Sequence, residues 1–130
     1  MSGERTPMQQ AEQYAEAALD RKAGDVVALD VSSLTSFTDA FVIATGTSDR
    51  HVKAVADAVV ERAAQLGQKP LGVEGYDGGE WVLIDLDDVI VHVFQEEKRE
   101  HYDLERLWAD APLYSFEAGS SGAVQKRRAP

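Results

Sequence analysis

Ala40-Phe41-Val42-Ile43-Ala44-Thr45-Gly46-Thr47-Ser48-Asp49-Arg50-His51-Val52 is the stretch on which the fold turns. Its first six residues are continuously apolar up to Thr45, the pattern of a strand buried on both faces. Gly46-Thr47-Ser48-Asp49 is a turn whose last residues are good helix caps. From about Arg50 to Leu66, Val52, Val55, Ala56, Val59, Ala63 and Leu66 make one apolar stripe, and Gly67 ends it. With Pro70 to Gly75 as a further short strand, the segment is a strand–helix–strand unit.

Toward the N-terminus, Asp25 to Val31 is rich in β-branched residues and predicts a strand, joined to the first segment by a polar loop, Ser32 to Asp39. Before it, Thr6-Pro7 and Gln9 form a capping box with proline at the first helical position, so a helix starts there and runs to Gly24. Toward the C-terminus, the glycine-rich turn Gly75 to Glu80 precedes two strands, Trp81 to Leu86 and Val89 to Phe94, joined by Asp87-Asp88 as a hairpin. A last helix spans about Glu96 to Ala109, and Pro112 stops it. Residues 113–130 show no period and are expected to be a disordered tail beyond a domain of residues 1–112. The element order is α-β-β-α-β-β-β-α, an α/β fold with a mixed five-stranded sheet and flanking helices.

A chain of 130 residues favours one domain. It contains no cysteine, which excludes disulfides and cysteine-based zinc or iron–sulfur sites. No apolar run approaches the ~20 residues that cross a bilayer, and the polar start has no signal-peptide core. A cytoplasmic protein with no membrane partner is the expectation. Acidic residues number 23 against 13 basic ones, for a net charge of −10. Residues 74–110 alone carry 12 acids and 3 bases. Such a surface repels phosphate backbones and anionic lipids, so no nucleic-acid readout is expected there. It would attract and steer a basic protein. The plainer alternative is that the acids only confer solubility.

Three features bear on catalysis. Gly46-Thr47-Ser48 lies between strand and helix, where amides can cradle a phosphate. However, the chain has no Gly-x-Gly-x-x-Gly and no P-loop lysine, and helix capping explains these residues as well. Asp85, Asp87 and Asp88 could form a metal-binding carboxylate cluster of a nucleotidyltransferase-like enzyme, yet aspartate is also a favoured turn residue. His51, His92 and His101 show no zinc spacing. His92 should face the same way as Ile90 and Phe94, half-buried and hydrogen-bonded. No nucleophile stands with a base, so no catalytic residue, metal or cofactor is expected.

Three stretches taken together are distinctive: Thr38 to Val52; Gly72-Val73-Glu74-Gly75 followed by Trp81-Val82-Leu83-Ile84-Asp85; and Asp88 to Phe94 continuing through Glu97 and Tyr102 to Leu104-Glu105-Arg106-Leu107-Trp108. In order and spacing they resemble the ribosomal silencing factor family, also called Iojap-like, over roughly Ala28 to Ala111. The resemblance implies a nucleotidyltransferase-like domain without catalytic residues and a role that is not enzymatic. It implies binding to the large ribosomal subunit through its protein L-fourteen, which keeps the small subunit away and represses translation under nutrient limitation. It also implies a homodimer when free.

By the same resemblance, Trp81 and Leu86 match positions that contact the ribosomal protein. Strand alternation conflicts with that pairing, since it points Trp81, Leu83 and Asp85 to one face and Val82, Ile84 and Leu86 to the other. Trp81 itself has two available roles, interface anchor or core filler. Asp85, Asp88, Glu97, Glu100 and Glu105 are candidates to pair with a basic partner, each with a solvated face as its alternative. Tyr102 suits contact or packing, whereas Trp108 shares the Leu104 stripe and suits the core. Lys126-Arg127-Arg128 could touch ribosomal RNA or simply solubilise the chain end.

Overall fold

A computed structural model of the chain describes residues 5–118 and 124–129. Helix α1 (Pro7–Asp20) begins with the expected capping box: the Thr6 hydroxyl accepts from the Gln9 amide, and the Gln9 side chain accepts from the Thr6 amide. Strand β1 (Gly24–Asp30) and strand β2 (Ala40–Gly46) follow, and helix α2 (Asp49–Gln65) starts on a Ser48 cap whose hydroxyl accepts from the His51 amide. Strands β3 (Gly72–Glu74), β4 (Trp81–Asp85) and β5 (Val89–Gln95) come next.

The last helical stretch is two pieces, α3 (Glu96–Tyr102) and α4 (Leu104–Leu107). The apolar spacing predicted one helix to Ala109. Asp103 breaks it with a left-handed backbone, φ 47°, a conformation that aspartate tolerates better than most residues. Its amide still bonds to the Arg99 carbonyl and so closes α3.

The sheet has seven strands, not five, in the order β3-β4-β5-β2-β1-β6-β7. The two additions, β6 (Leu113–Ala118) and β7 (Val124–Arg128), come from the stretch read as a disordered tail. Residues 119–123 and 130 of that stretch lie outside the described residues. Strand β6 lies between β1 and the edge strand β7 and buries a single row of side chains. Phe116, opposite Val26, is buried, and Tyr114, opposite Ala28, is partly covered. That short alternation was too weak to register as a period. Lys126 pairs with Glu12 on α1 and lies over the Tyr114 ring, which ties β7 down.

Strands β2 and β5 are parallel and every other neighbouring pair is antiparallel. Helix α2 crosses over β2, β5 and β4 to deliver the chain to β3 at the far edge. Gly46 lets the chain turn tightly into α2, because a Cβ there would sit 2.7 Å from Val52 Cγ2. Helices α1 and α2 bury one face of the sheet against Val42, Val82, Ile84, Val91 and their neighbours. The opposite face is built on Val27, Leu29, Val31, Phe41, Ile43 and Phe94, and among the described residues the α3–α4 segment with Ala111 and the loop before β2 pack on it, with no long helix. That thin cover leaves room for a docking surface.

Candidate docking surface

Strand β4 alternates as expected: Val82 and Ile84 are buried under the helices, and Trp81, Leu83 and Asp85 are half-buried on the thinly covered face. Leu86 sits with the first set. It is 2% exposed in the core beneath α1 and α2, on the side of the sheet away from Trp81. The cause is the strand's two-residue period.

Trp81 is neither sealed in the core nor free of it. Its ring stacks on Phe94 with centroids 4.9 Å apart and leans on Tyr102 at 4.5 Å, while part of it stays exposed. Its indole N–H donates to His92 Nδ1 at 3.1 Å. The loop from Gly75 folds back against this strand. Gly75 has φ 79°, and a Cβ there would lie 2.0 Å from the Trp81 carbonyl oxygen, so no other residue fits.

His92 faces the same side as Ile90 and Phe94, as the strand period requires. It is 5% exposed, and burial pushes its pKa down from 6.5 to about 4. Because Nδ1 accepts the indole proton, the ring's own proton sits on Nε2, which is buried without a partner. The ring continues an aromatic path. Tyr102 meets Trp81, Trp81 meets His92 at 6.0 Å, His92 meets Phe41 at 5.3 Å, Phe41 meets Trp108 at 5.4 Å, and Trp108 meets Phe37 at 6.2 Å. The two ends, Tyr102 and Phe37, are 45% and 59% exposed. Trp108 joins the cluster on this face, as its Leu104 stripe implied.

Helix α3 separates this path from the acidic residues assigned to it. Lys98 and Tyr102 lie on the Trp81 side, where with Gly75, Gly78 and Glu80 they line a hollow of about 210 Å³. Glu100 points to the other side, into a groove of about 730 Å³ that it shares with Asp25, Glu96, Asp103 and Glu117. Glu97 lines a third hollow beside Lys22 and Gly46. The Glu105 carboxylate is occupied: the buried Arg99 grips it at 3.2 and 3.0 Å and also donates to the Asp25 carbonyl and the Thr45 hydroxyl. Glu97, Glu100 and Glu105 thus do not line the Trp81 hollow. Asp85 lies at the other end of β4 from Trp81, and one of its oxygens accepts from the Asp87 amide at 3.0 Å. Asp88 is exposed at the end of the hairpin. Desolvation raises its pKa, and the nearby carboxylates of Asp87 and Asp39 add to the rise. Sequence reasoning missed Phe37 and Leu34, and it read Leu107 as part of the last helix without expecting it to be exposed. All three are exposed, and a single apolar residue in a polar loop carries no periodic signal.

The catalytic alternatives find little support in the geometry. The Thr47 amide, which would face a phosphate, donates instead to His51 Nδ1 at 2.9 Å, and the His51 amide is taken by the Ser48 cap. Asp85 and Asp87 serve the hairpin turn. Among the described residues, no group of three His, Cys, Asp or Glu is placed to hold a metal ion. Nor is any helix among them long and apolar enough to cross a membrane.

The family model described as "Ribosomal silencing factor during starvation" matches residues 4–130. A protein of Bacillus subtilis named ribosomal silencing factor RsfS is 42% identical over 105 residues, covering 81% of this chain and 89% of its own length. A crystal structure of a Chromobacterium violaceum protein superposes with a TM-score of 0.79 at 40% identity, covering 81% of this chain and 88% of that one. A more distant mouse relative, named mitochondrial assembly of ribosomal large subunit protein 1, is 34% identical over 98 residues, which is 73% of this chain and 42% of its own.

Proposed function

We propose that this chain, which belongs to the ribosomal silencing factor family, docks on the large ribosomal subunit through its protein L-fourteen and keeps the small subunit from joining. The carrying observation is the half-buried Trp81, held by Phe94, Tyr102 and His92 on the face that no long helix covers. A large ring fixed on one side and open on the other is the usual form of an interface anchor. The uncompensated acids along the hairpin would steer it toward a basic protein rather than toward RNA. The large subunit in the mouse relative's name and starvation in the family description both agree with this reading.

Obstruction requires occupancy and no turnover. Repression therefore scales with concentration and affinity, in the cytoplasm, under nutrient limitation. The nucleotidyltransferase-like scaffold would then persist with its phosphate-facing amides turned to helix capping. The free chain would protect its aromatic face by pairing with a second copy, so that dimer and ribosome complex compete by mass action.

Subunit joining followed by light scattering tests the reading directly. Excess protein should suppress the joined particle, and unchanged joining would refute it. Trp81→Ala should cost about 2 kcal/mol or more of binding if the ring is a hot spot, while the fold survives.

A further inference from the structure

The aromatic path has a second exposed end, and nothing said of Trp81 explains it. Phe37 is 59% exposed in the loop before β2, with Leu34 of the same loop 43% exposed. Its ring contacts Phe41 at 6.2 Å and Trp108 at 6.2 Å, so it is seated and not loose. Leu107, next to Trp108 on α4, is 72% exposed. Large apolar side chains gathered at a surface cost solubility and mark interaction sites.

Three carboxylates adjoin this end. The Thr38 hydroxyl donates to the Asp87 carbonyl and the Asp39 amide to the Asp88 carbonyl, so the loop carrying Phe37 is laced to the Asp87-Asp88 turn. Among the described residues, no lysine or arginine forms an ion pair with Asp39, Asp87 or Asp88. The Asp88 carboxyl feels both neighbours as repulsion. An unneutralised acidic rim around an exposed aromatic ring is complementary to an apolar side chain flanked by lysine or arginine.

We infer that Phe37, with Leu34 and Leu107 beside it and the Asp39, Asp87 and Asp88 carboxylates at its rim, is a second anchor of the docking face, taking a basic protein surface that offers an apolar side chain. The inference rests on the docking reading and extends it. Six rings in contact join Phe37 to Tyr102; the middle two, Phe41 and His92, are buried, so one aromatic stack braces both exposed ends from beneath. The acids exclude a phosphate backbone as the occupant.

Co-sedimentation of the full chain with purified large subunits tests it. Phe37→Ser should weaken binding about 30-fold or more, the hot-spot range, with the melting temperature close to wild type because the residue is mostly exposed. Should the serine variant fail to fold, Asp39→Asn/Asp87→Asn/Asp88→Asn supplies the second measurement. Asparagine tolerates the positive φ of Asp87, and the triple variant should bind more weakly and with a flatter salt dependence. Wild-type binding by both variants, with Trp81→Ala impaired, would overturn the second anchor and leave docking intact. A change confined to self-association would assign Phe37 to a second copy of this chain and overturn the inference. Failure of the wild-type chain to sediment with large subunits would remove docking altogether, and this anchor with it.

Discussion

Acidification from pH 7 to pH 5 should weaken the fold through one residue, His92. Its folded-state pKa of about 4 lies below the usual 6.5, so the folded chain binds fewer protons than the unfolded chain throughout that interval. The full stability contribution is present above pH 6.5 and is lost as pH falls toward 4. A shift of this size corresponds to about 3 kcal/mol in all, of which about 2 kcal/mol is lost between pH 7 and pH 5. The cause is geometric. His92 Nδ1 is already committed to the Trp81 indole, and a proton placed there would break that bond and bury a charge against Phe41 and Phe94. The comparison variant is His92→Gln, whose side-chain carbonyl can still accept from the indole and which does not titrate. Urea denaturation of both proteins at pH 7 and pH 5 isolates the histidine, since all other groups titrate alike in the two. The wild type should lose about 2 kcal/mol more than the variant over this interval. Equal losses would show that His92 is not held neutral by burial, and the account of Trp81 positioning would fail with it. Because Trp81 is the proposed anchor, association with large subunits should lose its acid sensitivity in the same variant.

Two further outcomes follow from groups that the fold leaves unsatisfied. Tyr14 is fully buried on α1, and its hydroxyl has no partner; Tyr14→Phe should therefore stabilise the chain by about 1 kcal/mol, read as a higher urea midpoint at unchanged slope. Asp88 has a raised pKa, so its ionisation opposes folding as pH rises through that value. Asp88→Asn should raise the melting temperature at pH 7, with the gain shrinking below the ordinary carboxylate range, while binding to large subunits weakens. A gain that persists at pH 3 would point to packing instead.

The legible part of the fold was the part with strong periods. Ala40 to Thr45 and the stripe from Val52 to Leu66 gave β2 and α2, and Thr6-Pro7 gave the start of α1, because capping chemistry and 3.6-residue spacing are local signals. Strand alternation already set Trp81 and Leu86 on opposite faces, and the buried Leu86 beside the half-buried Trp81 bears this out. Strands β6 and β7 were not legible. Leu113 to Ala118 buries one residue, Phe116, and owes its place to pairing with β1 rather than to its own pattern. By charge alone Glu97, Glu100 and Glu105 are indistinguishable from the acids of the hairpin. Only the rotation of α3, and the grip of Arg99 on Glu105, told them apart.

The break at Asp103 is what keeps the second face open. A helix continued straight to Ala109 would place its apolar stripe along the sheet as α1 and α2 do on the other side. Asp103 instead enters the left-handed region and turns the chain after one more contact. Glu105 then swings back to Arg99, which is itself fixed to Asp25 and Thr45 at the strand ends. Trp108 comes to rest edge-on to Phe41, and Leu107 is left outside. A helix interior disfavours this conformation by roughly 1–2 kcal/mol, and the Arg99–Glu105 fork together with the Trp108 contact offsets it. The same few residues thus deny the sheet a second full layer and hold Tyr102 and Phe37 at the surface. In this fold, the interruption of the last helix leaves Tyr102 and Leu107 exposed beside a face whose inner rings stay buried.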